Sequence, residues 1–104
     1  MKRLAFKMKL HDGQVSEYKR RHDAIWPELR QLLKDTGISG YSIYLDEESL
    51  QLFGVMNIDA PEMLEKLPEH PVMKKWWNYM KDIMDTNPDG SPVAQMMNEV
   101  FYLP

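Results

Sequence analysis

The chain has 104 residues, of which 43% are hydrophobic and 28% charged, a composition typical of one globular domain spanning residues 1–104. Its 13 Lys and Arg against 16 Asp and Glu give a net charge of −3, and the missing basic excess argues against nucleic acid as a partner. The absence of cysteine excludes a disulfide scaffold, a thiolate zinc site and a cysteine nucleophile, and fits a reducing cytoplasm. No apolar run approaches the roughly 20 residues that cross a bilayer, so no membrane partner is expected.

The first half of the chain predicts a strand followed by a helix. Residues 3–10 alternate apolar and polar side chains, the period of a β-strand. Apolar residues over 15–33 recur at helical spacing, and they predict a helix with one buried stripe. Gly37 and Gly40 are expected to end it.

A proline interrupts this first helix. Pro27 has no amide hydrogen to donate, and its ring would collide with the carbonyl group of Asp23, four residues earlier. We therefore expect a kink or a brief break between His22 and Trp26, with Pro27 opening the next helical turn.

The second half predicts three more strands and a second long helix. Residues 41–46 and 50–59 have the pattern of two strands of a hairpin. A short helix is expected over 61–67, a strong amphipathic helix over 72–84 and a final strand over 97–103.

The resulting order, β-α-β-β-α-β, is that of an α+β, ferredoxin-like fold, an antiparallel sheet with both helices on one face. The third strand is apolar on its other face as well, which indicates a second cover. A second copy of the chain would provide this cover, so we expect a homodimer in which two sheets pack face to face as a dimeric α+β barrel. The two apolar sets of this strand are Leu50, Leu52, Met56 and Ile58, and Phe53 with Val55.

One of the three histidines stands out. His22 lies on the apolar stripe one turn after Tyr18, so the imidazole and the phenol share a helix face. A histidine there is more often a core residue than a catalyst, but imidazole is also the side chain best suited to acid/base work near neutral pH. His11 and His70 are expected in solvated loops, and the three histidines lack metal-ligand spacing.

Charged residues flank this stripe. Such a run is normally a solvated helix face, where ion pairs contribute little stability. We therefore expect all four to be exposed: Glu17, Lys19, Arg20 and Arg21.

Two adjacent tryptophans admit two interpretations. Trp76 and Trp77 belong either to the core side of a helix or to a flat platform for a sugar ring. Neighbouring residues point about 100° apart on a helix, so only one of them can face the core directly. Tyr41 is either a half-buried strand residue or a third wall of the same cleft.

At these residues the sequence resembles the L-rhamnose mutarotase family over its whole length. The similarity lies in YKRRHDAIWPEL (18–29), YSIYLD (41–46), KWW (75–77), NPD (87–89) followed by SP (91–92), and EVFYL (99–103). Long mixed strings with Trp, Pro and His are specific, so the resemblance carries more weight than any single residue.

The resemblance implies a bacterial cytoplasmic isomerase that exchanges the α and β anomers of L-rhamnose, forms dimers of ferredoxin-like subunits and needs neither a cofactor nor a metal. It implies that His22 is a proton donor and that Tyr18, Tyr41, Trp76 and Trp77 bind the sugar. Two alternatives stay open at this point. One is a monooxygenase or haem-binding protein of the same dimeric fold, since fold alone does not fix function. The other is a sugar-binding module without catalysis.

Overall fold

Four strands form one antiparallel sheet. The computed structural model describes residues 1–104 and contains β1 (Lys2–Lys9), β2 (Ile38–Asp46), β3 (Gln51–Ile58) and β4 (Gln95–Met97). The strands lie side by side in the order β2-β3-β1-β4, each antiparallel to its neighbour. This is the order of a ferredoxin-like sheet, so the predicted fold class is confirmed.

Three α-helices connect the strands: α1 (Val15–Asp23), α2 (Pro27–Asp35) and α3 (Pro71–Met80). The predicted break at Pro27 is confirmed, since α1 ends before it and Pro27 is the first residue of α2, where no amide hydrogen is needed. Short 3₁₀ turns cover Pro61–Glu65 and Leu67–Glu69. None of the helices has the length and apolar character needed to cross a bilayer.

All three helices pack on the same face of the sheet, where alternating strand residues meet the apolar stripes of the helices. The core so formed includes Met8, Leu10, Leu29, Leu52, Met73, Trp76 and Met80. Gly54 of β3 lets the ring of Phe6 lie against the sheet, because a Cβ atom there would come within 2.5 Å of the ring.

A bulge in β2 decides where Tyr41 points. Ser39 pairs with Asn57 and Ser42 with Val55, so β2 holds one residue more than β3 between these pairs. The extra residue reverses the alternation, and Ile38 and Tyr41 both face the helices as a result. Gly40 accommodates the bulge with a φ of 55°; it was expected to end the first helix and instead lies within the strand.

The second long helix is shorter than the predicted 72–84. It ends at Met80, because the backbone of the following segment pairs with the end of β1. The amide of His11 donates to the carbonyl of Ile83 and the amide of Asp85 to that of Lys9, both at 2.9 Å.

The predicted last strand, 97–103, is also wrong in its extent. β4 covers Gln95–Met97, and residues 98–104 have no regular structure. The side chains of 100–103 are at least 54% exposed, because a single chain offers this apolar run no surface to cover it.

The sheet face opposite the helices is open in one chain. Phe53 and Val55 lie there half-buried, and Tyr44 beside them is 64% exposed. The second apolar face predicted for the third strand is therefore present, and no helix covers it.

Candidate functional site

Tyr18 and His22 form the centre of the candidate site on α1. Their rings stack with centroids 4.3 Å apart and an angle of 28° between the planes. Tyr18 is buried, and His22, which follows one turn later on the same helix face, is half-buried. The Trp76 ring of α3 lies at right angles to the imidazole, at a centroid distance of 5.4 Å.

The imidazole of His22 is held in one tautomer. Its Nδ1 lies 3.0 Å from the carbonyl oxygen of Tyr18, which can only accept, so Nδ1 carries the hydrogen. Burial lowers the pKa of His22 below its usual value of 6.5, against smaller opposing effects of this hydrogen bond and of Asp23. The ring is therefore neutral at pH 7, with an unprotonated Nε2 available for proton transfer.

Two phenols belong to the candidate site, and Tyr18 is the one in contact with the imidazole. Tyr41, in the bulge of β2, meets Phe6 edge-on at 6.1 Å, and its phenol influences the ionisation of Tyr18. Burial raises the pKa of Tyr41 to about 12 and that of Tyr18 further still. Tyr41 as a residue is 36% exposed. Both phenols keep their hydrogen at neutral pH and act as donors.

The two tryptophans of α3 differ in burial. Trp76 is only 6% exposed and packs against Trp26 and Tyr79, with centroids 5.1 and 5.7 Å away. Trp77 is half-buried at the margin of the same core. Trp77 is thus the more exposed of the two, and no ring contact joins it to Tyr18, His22 or Tyr41, whereas Trp76 lies against His22. Trp26, next to Pro27 at the break, belongs to the same aromatic cluster.

Sequence reasoning missed one residue next to the site. Arg21 was expected on a solvated helix face, but it is buried and makes hydrogen bonds to Glu17, Asp82 and the carbonyl oxygen of Tyr79. Its spacing of three from Tyr18 places it beside the buried stripe, which is the only indication in the sequence. The exposure predicted for Lys19 and Arg20 is confirmed, whereas that predicted for Glu17 is wrong, because this side chain is half-buried between Arg20 and Arg21.

Two cavities lie away from these residues. One, of about 480 Å³, runs along the outer side of α1, and one of about 380 Å³ lies on the open sheet face. Neither includes Tyr18, His22, Tyr41 or Trp77, and the outer cavity is lined by a single helix, so it lacks enclosing walls. The chemistry points to the imidazole rather than to either cavity. No three His, Cys, Asp or Glu side chains lie together where they could hold a metal ion.

Distant structural similarity shows the fold. A dimeric ferredoxin-like protein from an uncultured marine organism matches with a TM-score of 0.59 and 14% identity, covering 97% of this chain and 96% of that one. A putative antibiotic biosynthesis monooxygenase from Chloroflexus aurantiacus matches with a TM-score of 0.52 and 16% identity, covering 98% and 95%. At such identities the likeness concerns the fold alone, so it does not favour the monooxygenase or haem-binding alternative.

Close similarity identifies the family. The L-rhamnose mutarotase of Brucella anthropi is 56% identical over 102 residues, covering 98% of this chain and 96% of its relative. The crystal structure of an L-rhamnose mutarotase from Formosa agariphila matches with a TM-score of 0.93 and 51% identity over the whole of both chains. The family model for L-rhamnose mutarotase matches residues 3–103. The chain therefore belongs to the L-rhamnose mutarotase family.

Proposed function

We propose that this isomerase exchanges the α and β anomers of L-rhamnose with His22 as the group that transfers the proton and with Tyr18, Tyr41 and Trp77 as residues that bind the sugar. The main support for this proposal is the charge and the tautomer of the His22 imidazole. A neutral ring is fixed through Nδ1 to the Tyr18 carbonyl, 3.0 Å away, and its Nε2 is free. Membership of the family supplies the reaction, and the imidazole is the one of these side chains that titrates near neutral pH.

The chemistry of a cyclic hemiacetal defines what this group must do. Anomers exchange when the bond between C1 and the ring oxygen breaks, the aldehyde rotates about C1–C2, and the ring closes on the other face. Opening removes a proton from the anomeric hydroxyl and adds one to the ring oxygen. Both oxygens are bonded to C1, so one side chain beside C1 reaches both.

His22 performs these transfers through Nε2. The neutral imidazole accepts the proton of the anomeric hydroxyl while the C1–ring oxygen bond breaks, and the imidazolium gives the same proton to the ring oxygen. Closing reverses both steps, so the imidazole returns to its starting state. The stacked ring of Tyr18 and its carbonyl keep the imidazole in the required tautomer and orientation.

The remaining residues bind the sugar. Trp77 offers a flat face to the C–H side of the pyranose ring. The phenols of Tyr18 and Tyr41 donate hydrogen bonds to sugar hydroxyls, since both keep their hydrogen at neutral pH. Trp76 contacts the imidazole and contributes to the site as a wall.

The state of His22 predicts the pH profile of the enzyme. The catalysed exchange rate should rise with pH as His22 loses its proton, with a midpoint below 6.5, and should stay level above it, because the neutral imidazole starts the reaction. The titrating group that faces the ring besides Tyr18 is Asp23 on the same helix; α3 contributes only the uncharged Trp76. NMR saturation transfer between the anomeric protons of L-rhamnose measures this rate.

Unfolding at low pH must be separated from titration of the active site. A histidine whose pKa is lowered in the folded state stabilises the fold above pH 6.5, and this contribution falls as the pH drops through the lowered value. Circular dichroism at each pH therefore accompanies the rates. A catalysed rate that is highest at low pH, in folded protein, would show that the imidazolium starts the reaction and would overturn this order of steps.

We propose in addition that two copies pair through the open sheet faces, as the apolar residues Phe53 and Val55 and the dimeric neighbour of the same fold support. Sedimentation at micromolar concentration should give twice the chain mass of 12.3 kDa. Replacing Phe53 by glutamate should shift the molecule towards monomer, because a buried carboxylate in a sheet-to-sheet interface has no partner. A wild-type monomer would refute this arrangement.

We place this activity in the cytoplasm, with residues 1–104 acting as one domain. The absence of cysteine fits a reducing compartment. The sequence carries the family similarity over nearly its full length, which supports a single functional unit.

A further inference from the structure

A buried guanidinium joins α1 to the end of α3. Arg21 is 9% exposed, and its Nε donates to Glu17 at 2.7 Å on its own helix. Its Nη1 donates to the carbonyl oxygen of Tyr79 at 2.7 Å and to Asp82 at 2.9 Å, and Nη2 reaches the second Asp82 oxygen at 3.3 Å. Paired hydrogen bonds from a planar guanidinium to one carboxylate fix the orientation of the two groups as well as their distance.

The contact with Tyr79 also caps a helix. The carbonyl oxygen of Tyr79 lies in the last turn of α3, and the amide of Ile83 bonds Met80 rather than Tyr79. Arg21 supplies the missing donor and places a positive charge at the negative end of the helix dipole. Arg21 therefore fixes the end of α3 as well as the helix to which it belongs.

The same side chain touches the aromatic cluster behind the candidate site. Its guanidinium lies 4.3 Å from the centroid of the Tyr79 ring, which in turn contacts Trp76. Trp76 meets the imidazole of His22 edge-on, and His22 directly follows Arg21 in α1. Arg21 thus belongs to the helix that carries the imidazole and is linked, through Tyr79, to the ring that contacts this imidazole.

From this geometry we infer that Arg21 is a positioning residue for the anomer exchange, which holds His22 of α1 at a fixed place against Trp76 of α3. The inference rests on the function proposed above. Arg21 acts through His22 and does not contact the sugar. Proton transfer depends steeply on position, and a displacement of about 1 Å can cost about 100-fold in rate.

The test replaces Arg21 by methionine, which keeps the apolar stem and removes every donor. We expect kcat for L-rhamnose exchange to fall about 10- to 100-fold with KM changed less than about threefold, because the guanidinium contacts neither Tyr41 nor Trp77. Rates are measured by saturation transfer over a range of sugar concentrations, below the unfolding temperature of each variant.

Arg20→Met is the matched control. Arg20 also binds Glu17, at 2.8 and 2.6 Å, but its side chain is mostly exposed, and its link to α3 is to the Tyr79 phenol rather than to the Tyr79 carbonyl group or to Asp82. We expect wild-type kcat for this variant. Arg21→Lys keeps the charge without the fork and should recover only part of the lost kcat, and it carries the test if Arg21→Met fails to fold.

Wild-type kcat in folded Arg21→Met, or in Arg21→Lys if only that variant folds, would overturn the inference, whatever happens to KM. This result is distinct from failure of the proposed site, which His22→Ala reports in the same assay. An inactive His22→Ala together with a fully active Arg21→Met removes the positioning role and leaves the site intact. A fully active His22→Ala removes the site itself.

Discussion

Replacing His22 by alanine should remove nearly all catalysed exchange of the L-rhamnose anomers and leave the fold in place. A positioned acid/base group contributes about 10²- to 10⁴-fold, and the remaining reaction is the exchange that the sugar undergoes in water. The fold should persist because His22 is only half-buried and the core stripe of α1 retains Tyr18. Saturation transfer measures the loss, and circular dichroism confirms the fold.

The other two histidines are the natural controls. Both are exposed, and both have structural partners. His11 hydrogen-bonds Asp85 at 3.1 Å, and His70 accepts the amide hydrogen of Val72 at the start of α3. We expect His11→Ala and His70→Ala to stay active, with His70→Ala less stable by about 1 kcal/mol through the lost helix cap. Full activity in folded His22→Ala would show that another group moves the proton.

The second large effect concerns the two tryptophans of α3, whose replacement by alanine should impair different properties of the protein. Trp76→Ala should lower the free energy of unfolding by about 3–5 kcal/mol, because it empties the space between His22, Trp26 and Tyr79. Trp77→Ala should stay folded and lose affinity for the sugar, since its ring lies at the margin of the core. Urea denaturation measures the first effect, and a sugar titration of the exchange rate the second.

Tryptophan fluorescence separates these roles further. L-rhamnose should change the emission of the wild type and of Trp76→Phe, but not that of Trp77→Ala. Trp26 cannot serve as an independent reference, because its ring contacts Trp76 at 5.1 Å and stacks on Tyr79 at 5.6 Å. A Trp77→Ala protein that keeps the full fluorescence response, or a Trp76→Ala protein as stable as wild type, would contradict this division of roles.

Much of the fold follows from local patterns in the sequence. Alternation gave β1 and β3, and the covalent constraint of Pro27 gave the break between α1 and α2. These features depend on a few neighbouring residues, and they can therefore be predicted from the sequence.

The features that were missed depend on contacts between distant segments. The end of α3 is set by backbone pairing with β1 and by Arg21, more than 50 residues earlier in the chain. The bulge that turns Tyr41 towards the helices is a property of the pairing between β2 and β3. A strand over 97–103 requires a neighbouring strand along its length, and β4 has one only for Gln95–Met97.

In the candidate site, too, the features set by neighbouring residues could be predicted and those set by distant contacts could not. The spacing of Tyr18 and His22 on one helix face could be predicted, and their rings do stack. Which tryptophan faces the core, and that Arg21 is buried, depends on the packing of α1 against α3. Periodicity places a residue on a helix face, but it does not say which element covers that face.

The proposed role of His22 in proton transfer is tested most directly by the ¹⁵N NMR spectrum of its ring at pH 7, with and without L-rhamnose. We expect a neutral ring with hydrogen on Nδ1, and a change at Nε2 when the sugar binds, while the ring nitrogens of His11 and His70 stay unchanged. A His22 ring that carries its hydrogen on Nε2, or one whose Nε2 does not respond to saturating sugar, would contradict it.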